Sequence, residues 1–391
     1  MKAATASSIM RVFLPTCLGA AAAAGDFAPP AAAGDFAPPR FSVSLDVAPE
    51  HRWDGALTTM NASLHTALGL LLSNPVYKLG LGVVQALVKA DEMAVADWFP
   101  DEQWRELQGI ARLTGVAPEL LAGVDAIYDL TAGGGLARRA CTSVVAQAAD
   151  GSIVAGRNLD YPLQAEMRGI AMHVDFTRGN TTVFSAVSYA GFTGFNTAVK
   201  PGVLTVSQDE RDQGPLEANW ADLFLLRRAS TMAAIRAVVD EQATFEGAVQ
   251  AFAAMPLAAD SYFVLGGAAP GEGAVVTRSR QPRKEADVWR LGDANASWYL
   301  FETNYDHWGP AGGGDDRRTP GHAHLDKAGA AGFDTGAMWG ALSDFACDPA
   351  LGQRAVYNNE TVYTWVGSAA LGSAASQVMV RGSYPGVAGC A

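Results

Sequence analysis

Cys141, Arg157 and Asp160 lie on two runs rich in β-branched residues, and Asp150 and Gly151 separate these runs. Asp-Gly between two such runs favours a β-hairpin with a two-residue turn. This turn predicts that Cys141 lies directly opposite Asp160, with the two Cβ atoms about 5.5 Å apart. Arg157 then points to the other face of the hairpin, unless the glycine before it forms a β-bulge, which we expect.

A cysteine in this position can act as a nucleophile without a histidine base, although a small buried apolar residue is the ordinary alternative. The six His residues are scattered and show neither a Cys-His motif nor a metal-ligand spacing, so no metal and no cofactor are implied. If the chain is cut directly before Cys141, the new α-amino group titrates at about 8 and can accept the thiol proton. Asp160 would hold that amine in place.

Residues 141–162 resemble the nucleophile segment of acid ceramidase and N-acylethanolamine-hydrolysing acid amidase. These are N-terminal-nucleophile hydrolases, distantly related to penicillin V acylases and bile salt hydrolases. Further segments resemble motifs of the same family in the same order: 41–46, 206–212, 301–308, 315–319 and 356–359. The Tyr-Pro pair after Asp160 and the run from Glu210 to Gly214 resemble the amidase more than the ceramidase.

The resemblance implies an α+β fold, a four-layer αββα sandwich whose N-terminal part is mainly helical. It also implies that the chain cuts itself between Ala140 and Cys141. The products would be an α chain of residues 41–140 and a catalytic β chain of residues 141–391, held together as a heterodimer. Relatives carry a bulkier apolar residue where this sequence has Ala140, so we expect slower or pH-shifted processing.

The resemblance also assigns roles in acyl transfer. Cys141 would attack the amide, its amine would protonate the leaving group, and Arg157 and Asp160 would orient it. Asn304 would stabilise the oxyanion, since an amide is a neutral donor; the alternative is a turn residue after a strand.

Two further residues carry roles by resemblance alone. Arg317 would be an active-site arginine, with Arg318 as the weaker candidate and a solvated loop as the alternative. Glu210 would assist self-cleavage; the alternative is a surface charge in a turn.

For the substrate, the resemblance favours an N-acylethanolamine such as N-palmitoylethanolamine. Ceramide is the second candidate, and a non-lipid amide is the third. A non-catalytic secreted glycoprotein that binds lipids is the alternative function from another class. The presence of Cys141, Arg157, Asp160 and Asn304 argues against it, because a protein that only binds lipids does not require a nucleophile.

The N-terminus indicates entry into the secretory pathway. Residues 1–24 resemble a signal peptide, although Pro15 interrupts the apolar run and a plastid or mitochondrial presequence is the alternative. A nine-residue repeat follows, at 22–30 and 31–39, and we interpret residues 25–40 as a disordered linker.

The predicted glycosylation sites and the cysteines are consistent with the secretory pathway. Four Asn residues open Asn-X-Ser/Thr triplets: Asn61, Asn180, Asn295 and Asn359. Apart from Cys17 in the signal and Cys141, the cysteines are Cys347 and Cys390, which can form a disulfide or stay as two free thiols. We expect a lysosome or similar acidic lumen, or secretion.

Net charge and hydropathy exclude other classes of partner. The charge of -12 argues against nucleic acid and suits an acidic compartment. The most apolar run, 68–88, contains Asn74, Pro75 and Lys78, so it does not span a membrane. We expect its second half, a helix at 76–90, to pack in the core; contact with a lipid surface is the alternative.

The coarse pattern is a strand and helices up to residue 140, then strands interrupted by helices. Helices should begin at Pro100 and Pro118, and 133–140 should be a flexible, exposed approach to the cleavage site. The predicted strands are 142–148, 152–158, 170–176, 182–189, 202–207, 261–266, 273–278, 298–303 and 361–366. The predicted helices are 217–229, 231–240, 244–254 and 335–346, and 309–335 should be a mobile loop.

Overall fold

The structure is a computed structural model of the chain. It describes residues 35–74, 78, 81, 82, 84, 95–133, 141–280, 286–293, 297–311, 314–371 and 376–380. Several predicted features lie outside these residues: the signal peptide, most of the linker, most of the helix at 76–90, Ala140, Asn295 and Cys390.

The described strands are β1 Arg40–Ser44, β2 Cys141–Gln147, β3 Ile153–Asp160, β4 Ala171–Arg178, β5 Thr181–Tyr189, β6 Thr197–Lys200, β7 Leu204–Glu210, β8 Ser261–Gly266, β9 Gly273–Arg278, β10 Asp287–Arg290, β11 Tyr299–Glu302, β12 Thr361–Gly367 and β13 Ser376–Met379. The described α-helices are α1 Asp54–Ser73, α2 Asp101–Thr114, α3 Pro118–Asp125, α4 Ile127–Thr131, α5 Gln164–Ile170, α6 Leu216–Phe224, α7 Thr231–Glu241, α8 Phe245–Ala254, α9 Arg318–Ala328 and α10 Thr335–Leu342.

The strands form two sheets that pack face to face. One has the order β1-β4-β5-β6-β7-β8-β9-β10, and the other has the order β11-β2-β3-β12-β13. β2 contacts β7, β8 and β9 across the interface, where apolar side chains such as Val145 and Leu300 are fully buried. The period-two pattern of these strands turns alternate side chains into this inner layer.

Helices cover the outer face of each sheet. α7 contacts β5, and α8 contacts β8 and β9; on the other side α9 contacts β11, and α10 contacts β3 and β12. The predicted α+β fold with four layers, αββα, is therefore confirmed. The described N-terminal residues contribute β1, parallel to β4, and the helices α1 to α4, of which α1 packs against α2 and α5.

The β2–β3 hairpin exists, but its predicted register is wrong. Cys141 pairs with Leu159 instead of Asp160, and Ser143 pairs with Arg157. The turn has three residues, since Ala148 N donates to Ser152 O at 2.9 Å and Gly151 adopts a φ of 87°. A shift by one residue moves every side chain to the other face. Arg157 therefore shares the face of Cys141 without any bulge.

Most strands and helices of the coarse pattern are present, and two expectations are wrong. The segment 309–335 contains α9 instead of being a loop throughout. Gly321 lets this helix pack directly on the ring of Phe301, which a Cβ atom would touch. The end of the predicted disordered linker 25–40 is ordered, because Phe36 pairs with Val380 and Arg40 begins β1.

The predicted modification sites differ in exposure. Asn180 and Asn359 are exposed, whereas Asn61 lies half-buried on α1. Cys347 is disulfide-bonded, and Cys141 is a free, buried cysteine; because Cys390 lies outside the described residues, its pairing with Cys347 stays a prediction. In the described part of the chain, no helix combines the length and apolar character needed to cross a membrane.

Candidate active site

Cys141 is the first residue of β2, and its side chain is buried. β11 runs antiparallel to β2, with Glu302 opposite Ser143, and this register places Asn304 beside the start of β2. The backbone N–H of Cys141 donates to Asn304 Oδ1 at 2.6 Å. Asn304 Nδ2 donates to the backbone oxygen of Glu210 at 2.9 Å, so the ends of β2, β11 and β7 meet at one point.

Arg317 joins the same cluster from the residue before α9. Its guanidinium is fully buried and donates to the carbonyl oxygen of Cys141 and, at 2.7 Å, to Asn304 Oδ1. Asp315 accepts two hydrogen bonds of 3.0 Å from it and fixes its orientation. Arg318 points elsewhere and donates to backbone oxygens, including those of Asp306 and Gly309. Arg317, and not Arg318, therefore contacts the nucleophile residue.

Arg157 reaches from β3 across to the other sheet. Its side chain is fully buried and donates to Asn196 O at 3.0 Å and to Thr197 Oγ1 at 2.9 Å. It also donates to Asp209 Oδ1 at 3.2 Å, and Ser143 Oγ donates to the same oxygen at 2.8 Å. Because Ser143 and Cys141 share a face of β2, this network lies beside the nucleophile.

Asp160 approaches Cys141 differently from the prediction. Its Cα pairs with Thr361 on β12, and its Oδ2 accepts from Asn358 Nδ2 at 2.8 Å. Oδ1 is buried with no hydrogen-bond partner among the described residues. Burial raises the pKa of Asp160 to about 6, against the attraction of Arg317. The backbone of Asp160 lowers the pKa of the Cys141 thiol, whereas its carboxylate raises it.

The surroundings of the thiol keep it protonated in the uncut chain. Burial raises the pKa of Cys141 to about 12; the charge of Arg157 lowers it, and the carboxylates of Asp209 and Asp160 raise it. A thiol with this pKa is a weak nucleophile at neutral pH. A base close to it is therefore required for attack on an amide.

Glu210 links the cluster to the segment that precedes Cys141. Its Oε1 accepts a hydrogen bond of 2.9 Å from the backbone N–H of Gly133. Gly133 is the last described residue before Cys141, because 134–140 lie outside the described part. The side chain of Glu210 therefore contacts the last described residue of the N-terminal segment.

The sequence reasoning missed three residues of the site. Asp209 stands next to Glu210 within the motif at 206–212, and Asn358 lies in the motif at 356–359, which was noted without a role. Ser143 follows Cys141 by two residues. The motifs shared with the family could have identified these residues. Their contacts to Arg157 and Asp160 could not be predicted, because they depend on strands that are distant in sequence.

A path lined mainly by apolar side chains leads away from Cys141. A cavity of about 30 Å³ touches Cys141, and a second of about 30 Å³ shares Ile127, Tyr161 and Met167 with it. The second cavity is walled by Leu64, Leu68 and Leu71 of α1. A surface groove of about 340 Å³ follows, which shares Ala67 and Glu166 with the second cavity. Each small cavity holds about one water molecule, so a larger molecule must widen this path.

Proteins of one family are similar to this chain in sequence. No protein-family model matches the sequence. The chain is 37% identical to mouse "N-acylethanolamine-hydrolyzing acid amidase" over 331 residues, which is 84% of this chain and 85% of the mouse protein. It is 33% identical to the Caenorhabditis elegans protein of the same name, over 83% of this chain and 88% of that protein. Rat "Acid ceramidase" is 28% identical, over 83% and 82% of the two chains.

A solved structure is similar as well. The Caenorhabditis elegans N-acylethanolamine-hydrolyzing acid amidase ortholog superimposes with a TM-score of 0.53 at 36% identity, covering 60% of this chain and 98% of that one. Identity above 30% over most of both chains, together with the site around Cys141, establishes the relationship. The chain belongs to the N-acylethanolamine-hydrolysing acid amidase and acid ceramidase family of amide-bond hydrolases.

Proposed function

We propose that this protein is a self-processing cysteine amidase that hydrolyses N-acylethanolamines to fatty acid and ethanolamine. The observation that carries the proposal is the convergence of Cys141, Asn304, Arg317 and Arg157 at the end of an apolar path. The relatives at 33–37% identity carry the name of this activity. No cofactor takes part in the proposed reaction.

Processing comes first, as a cut between Ala140 and Cys141. The two peptide groups that flank the Cα atom of Cys141 are both held: Asn304 accepts from the N–H of the bond to be cut, and Arg317 donates to the carbonyl oxygen of the next peptide group. Glu210 lies beside the chain that leads to this bond, through its contact with Gly133. The α and β chains stay associated, since β1 is hydrogen-bonded to β4 and α1 packs on α5.

The α-amine released by the cut then serves as the base. The Cys141 thiol gives its proton to this amine, and the thiolate adds to the amide carbonyl carbon. Asn304 Nδ2 has a second hydrogen besides the one bonded to Glu210 O, and it stabilises the oxyanion. When the C–N bond breaks, the ammonium group returns the proton to the leaving nitrogen and ethanolamine departs. Water then attacks the thioester and releases the fatty acid.

The apolar path provides the place for the acyl chain. Its walls come from α1 of the N-terminal segment and from α5, with Met167 between the two small cavities. Methionine changes rotamer easily because it is unbranched, so Met167 can move aside for an entering chain. The exposed groove next to Ala67 then opens on the surface, where a lipid can enter. We therefore also propose that this surface contacts a lipid bilayer.

An acidic lumen of the secretory pathway is the proposed location. Burial raises the pKa of Asp160 to about 6 and that of Asp209 to about 7, so both bind protons in mildly acidic solution. Asn180 and Asn359 are exposed, as glycosylated residues must be. The relatives are named acid amidases and acid ceramidases.

The test compares N-palmitoylethanolamine with a C12 ceramide across pH 4 to 8, using the processed enzyme and the Cys141→Ala variant as the inactive control. We expect faster hydrolysis of N-palmitoylethanolamine, with an optimum below pH 7. A preference for ceramide would place the substrate with the ceramidase relatives, and an optimum above pH 7 would contradict the acidic location. Clean processing without turnover of either lipid would indicate a non-lipid amide.

The rival, a lipid-binding protein without activity, is separated by labelling. An electrophilic lipid should acylate Cys141 in the processed protein, as seen by mass spectrometry of the N-terminal peptide of the β chain. A protein that binds the lipid without reacting would support the rival.

A further inference from the structure

We propose that Asp209 is a positioning residue for this reaction: it fixes Arg157 beside Cys141 and sets the upper pH limit of activity by holding or releasing a proton. The inference rests on the proposed function, because it concerns the same nucleophile. Asp209 would act through Arg157 and would not touch the substrate.

Asp209 connects both sheets at the nucleophile. It lies on β7 of the eight-stranded sheet, whereas Arg157 and Ser143 lie on β3 and β2 of the other. Oδ1 accepts from Arg157 at 3.2 Å and from Ser143 at 2.8 Å, and the side chains of Asp209 and Arg157 are both fully buried. Oδ2 has no hydrogen-bond partner among the described residues. One oxygen thus orients two residues that share a face with Cys141.

Among the described residues, Arg157 has no second carboxylate to replace this contact. Its other hydrogen-bond acceptors in the described part of the chain are neutral, namely Asn196 O and Thr197 Oγ1. The ring of Tyr363, 6.0 Å from the guanidinium carbon, is neutral as well. Whether Asp209 is charged therefore decides whether the charge of Arg157 is compensated.

The charges of Arg157 and Asp209 have opposite effects on the pKa of the Cys141 thiol. Arg157 favours the thiolate of Cys141, whereas an ionised Asp209 disfavours it. A protonated Asp209 still accepts through its carbonyl oxygen, so Arg157 and Ser143 can keep their positions. Its negative charge is then gone, and the full charge of Arg157 stabilises the thiolate.

The groups around Asp209 bring its pKa close to 7. Burial raises the pKa of Asp209 to about 7; Arg157 on β3, the Ser143 hydroxyl on β2 and Arg317 before α9 lower it, and Glu302 on β11 raises it. Asp209 is therefore neutral in an acidic lumen and ionised above pH 7. The activity should fall as pH rises through this range.

The experiment measures two rates between pH 5 and 9 for the processed wild type and the processed Asp209→Asn variant. One is kcat/KM for N-palmitoylethanolamine, and the other is alkylation of Cys141 by iodoacetamide, corrected for the pH dependence of a model cysteine amine. In the wild type, we expect both rates to fall several-fold through pH 7. In Asp209→Asn, the fall centred near pH 7 should be lost from both rates, since asparagine keeps an acceptor without an ionisable proton.

Ser143→Ala is the matched control, because it removes a hydrogen bond of Asp209 and leaves the charge in place. We expect it to keep the fall in rate, with the midpoint moved to higher pH, because a hydrogen bond that lowers the pKa of Asp209 is lost. An unchanged midpoint in Asp209→Asn would overturn the proposal. If the alkylation rates behave as expected and the lipid is not hydrolysed, the role of Asp209 stands and the proposed substrate is wrong.

Glu302→Gln keeps the proposal testable if Asp209→Asn fails to fold or to process. Removal of the neighbouring negative charge lowers the pKa of Asp209, so the fall in the alkylation rate should move to lower pH. A purely structural role of Asp209 would not move it. An unchanged midpoint in Glu302→Gln would therefore also overturn the proposal.

Discussion

The backbone N–H of Cys141 donates a hydrogen bond of 2.6 Å to Oδ1 of Asn304. In the uncut chain, this contact fixes the peptide group before the nucleophile with the side chain proposed to stabilise the oxyanion. After the cut, the same nitrogen becomes the amine base, and Asn304 is already next to it. One amide side chain is thus placed to serve both reactions.

Replacement of Asn304 by alanine should lower kcat by about 10²–10³-fold, with a much smaller change in KM, because the lost hydrogen bond forms fully only in the transition state. The measurement is steady-state kinetics on protein that has been cut completely. Asn359→Ala, at an exposed position, is the control and should retain the wild-type kcat. A loss confined to KM would assign Asn304 to substrate binding instead.

Replacement of Cys141 by alanine should abolish both self-cleavage and turnover, since no thiol remains to attack either bond. Cys141→Ser should keep some self-cleavage, because a hydroxyl can still attack the neighbouring carbonyl. Gel analysis after incubation near pH 4.5, with Edman sequencing of the larger fragment, gives the position of the cut. A wild-type chain that hydrolyses the lipid while it remains intact would refute the mechanism.

Gly156→Ala should destabilise the fold by about 1–3 kcal/mol, because β3 lies directly against α10 at this position. A Cβ atom there would be 2.7 Å from Met338 Cγ and 2.7 Å from Leu342 Cδ1. The measurement is the free energy of unfolding in urea, in an uncut Cys141→Ala background. Gly69→Ala on α1 is the matched control; nothing lies within 4 Å of its Cβ, and it should not destabilise the protein.

The uncut Cys141→Ala variant should be more stable at pH 5 than at pH 7.5. Burial raises the pKa of Asp129 and Asp160 to about 6 and that of Asp209 to about 7. The folded chain therefore keeps protons that the unfolded chain releases above about pH 4, and stability is lost as pH rises through 6 to 7. His173, whose pKa burial lowers to about 4, acts in the opposite direction below pH 6.5.

Thermal unfolding followed by circular dichroism measures this difference, and Tm should be several degrees higher at pH 5. Replacement of both Asp129 and Asp160 by asparagine should reduce the difference. A Tm that rises from pH 5 to 7.5 would show that His173 and the surface charges outweigh the three buried carboxyl groups.

The sequence predicts the hairpin at Cys141 and fails on its register, for a definite reason. Asp150 and Gly151 fit a two-residue turn, but a three-residue loop also ends on a glycine with positive φ. Local residues cannot separate these loops. The choice comes from the neighbouring strands, because β11 and β12 hold β2 and β3 on either side.

The sequence likewise predicts one part of the candidate site and not the other. The motifs brought Cys141, Asn304 and Arg317 together, and the structure places them in contact. Asp209 and Arg157 come from different sheets, so no spacing along the sequence reports their hydrogen bond. The helix α9 was missed because Pro320 and Gly321 disfavour a helix, which tertiary packing on β11 stabilises.

The strand β1 occupies the edge of the eight-stranded sheet, and its Val43 is buried in the same core as Val174 of β4. A chain cut before Cys141 would therefore consist of two fragments with one shared core. Refolding of the uncut chain is unimolecular, whereas recovery of the cut protein from denaturant needs an encounter of two fragments and becomes slower on dilution. In dilute solution, the lifetime of the cut protein would therefore depend more on slow unfolding than on refolding.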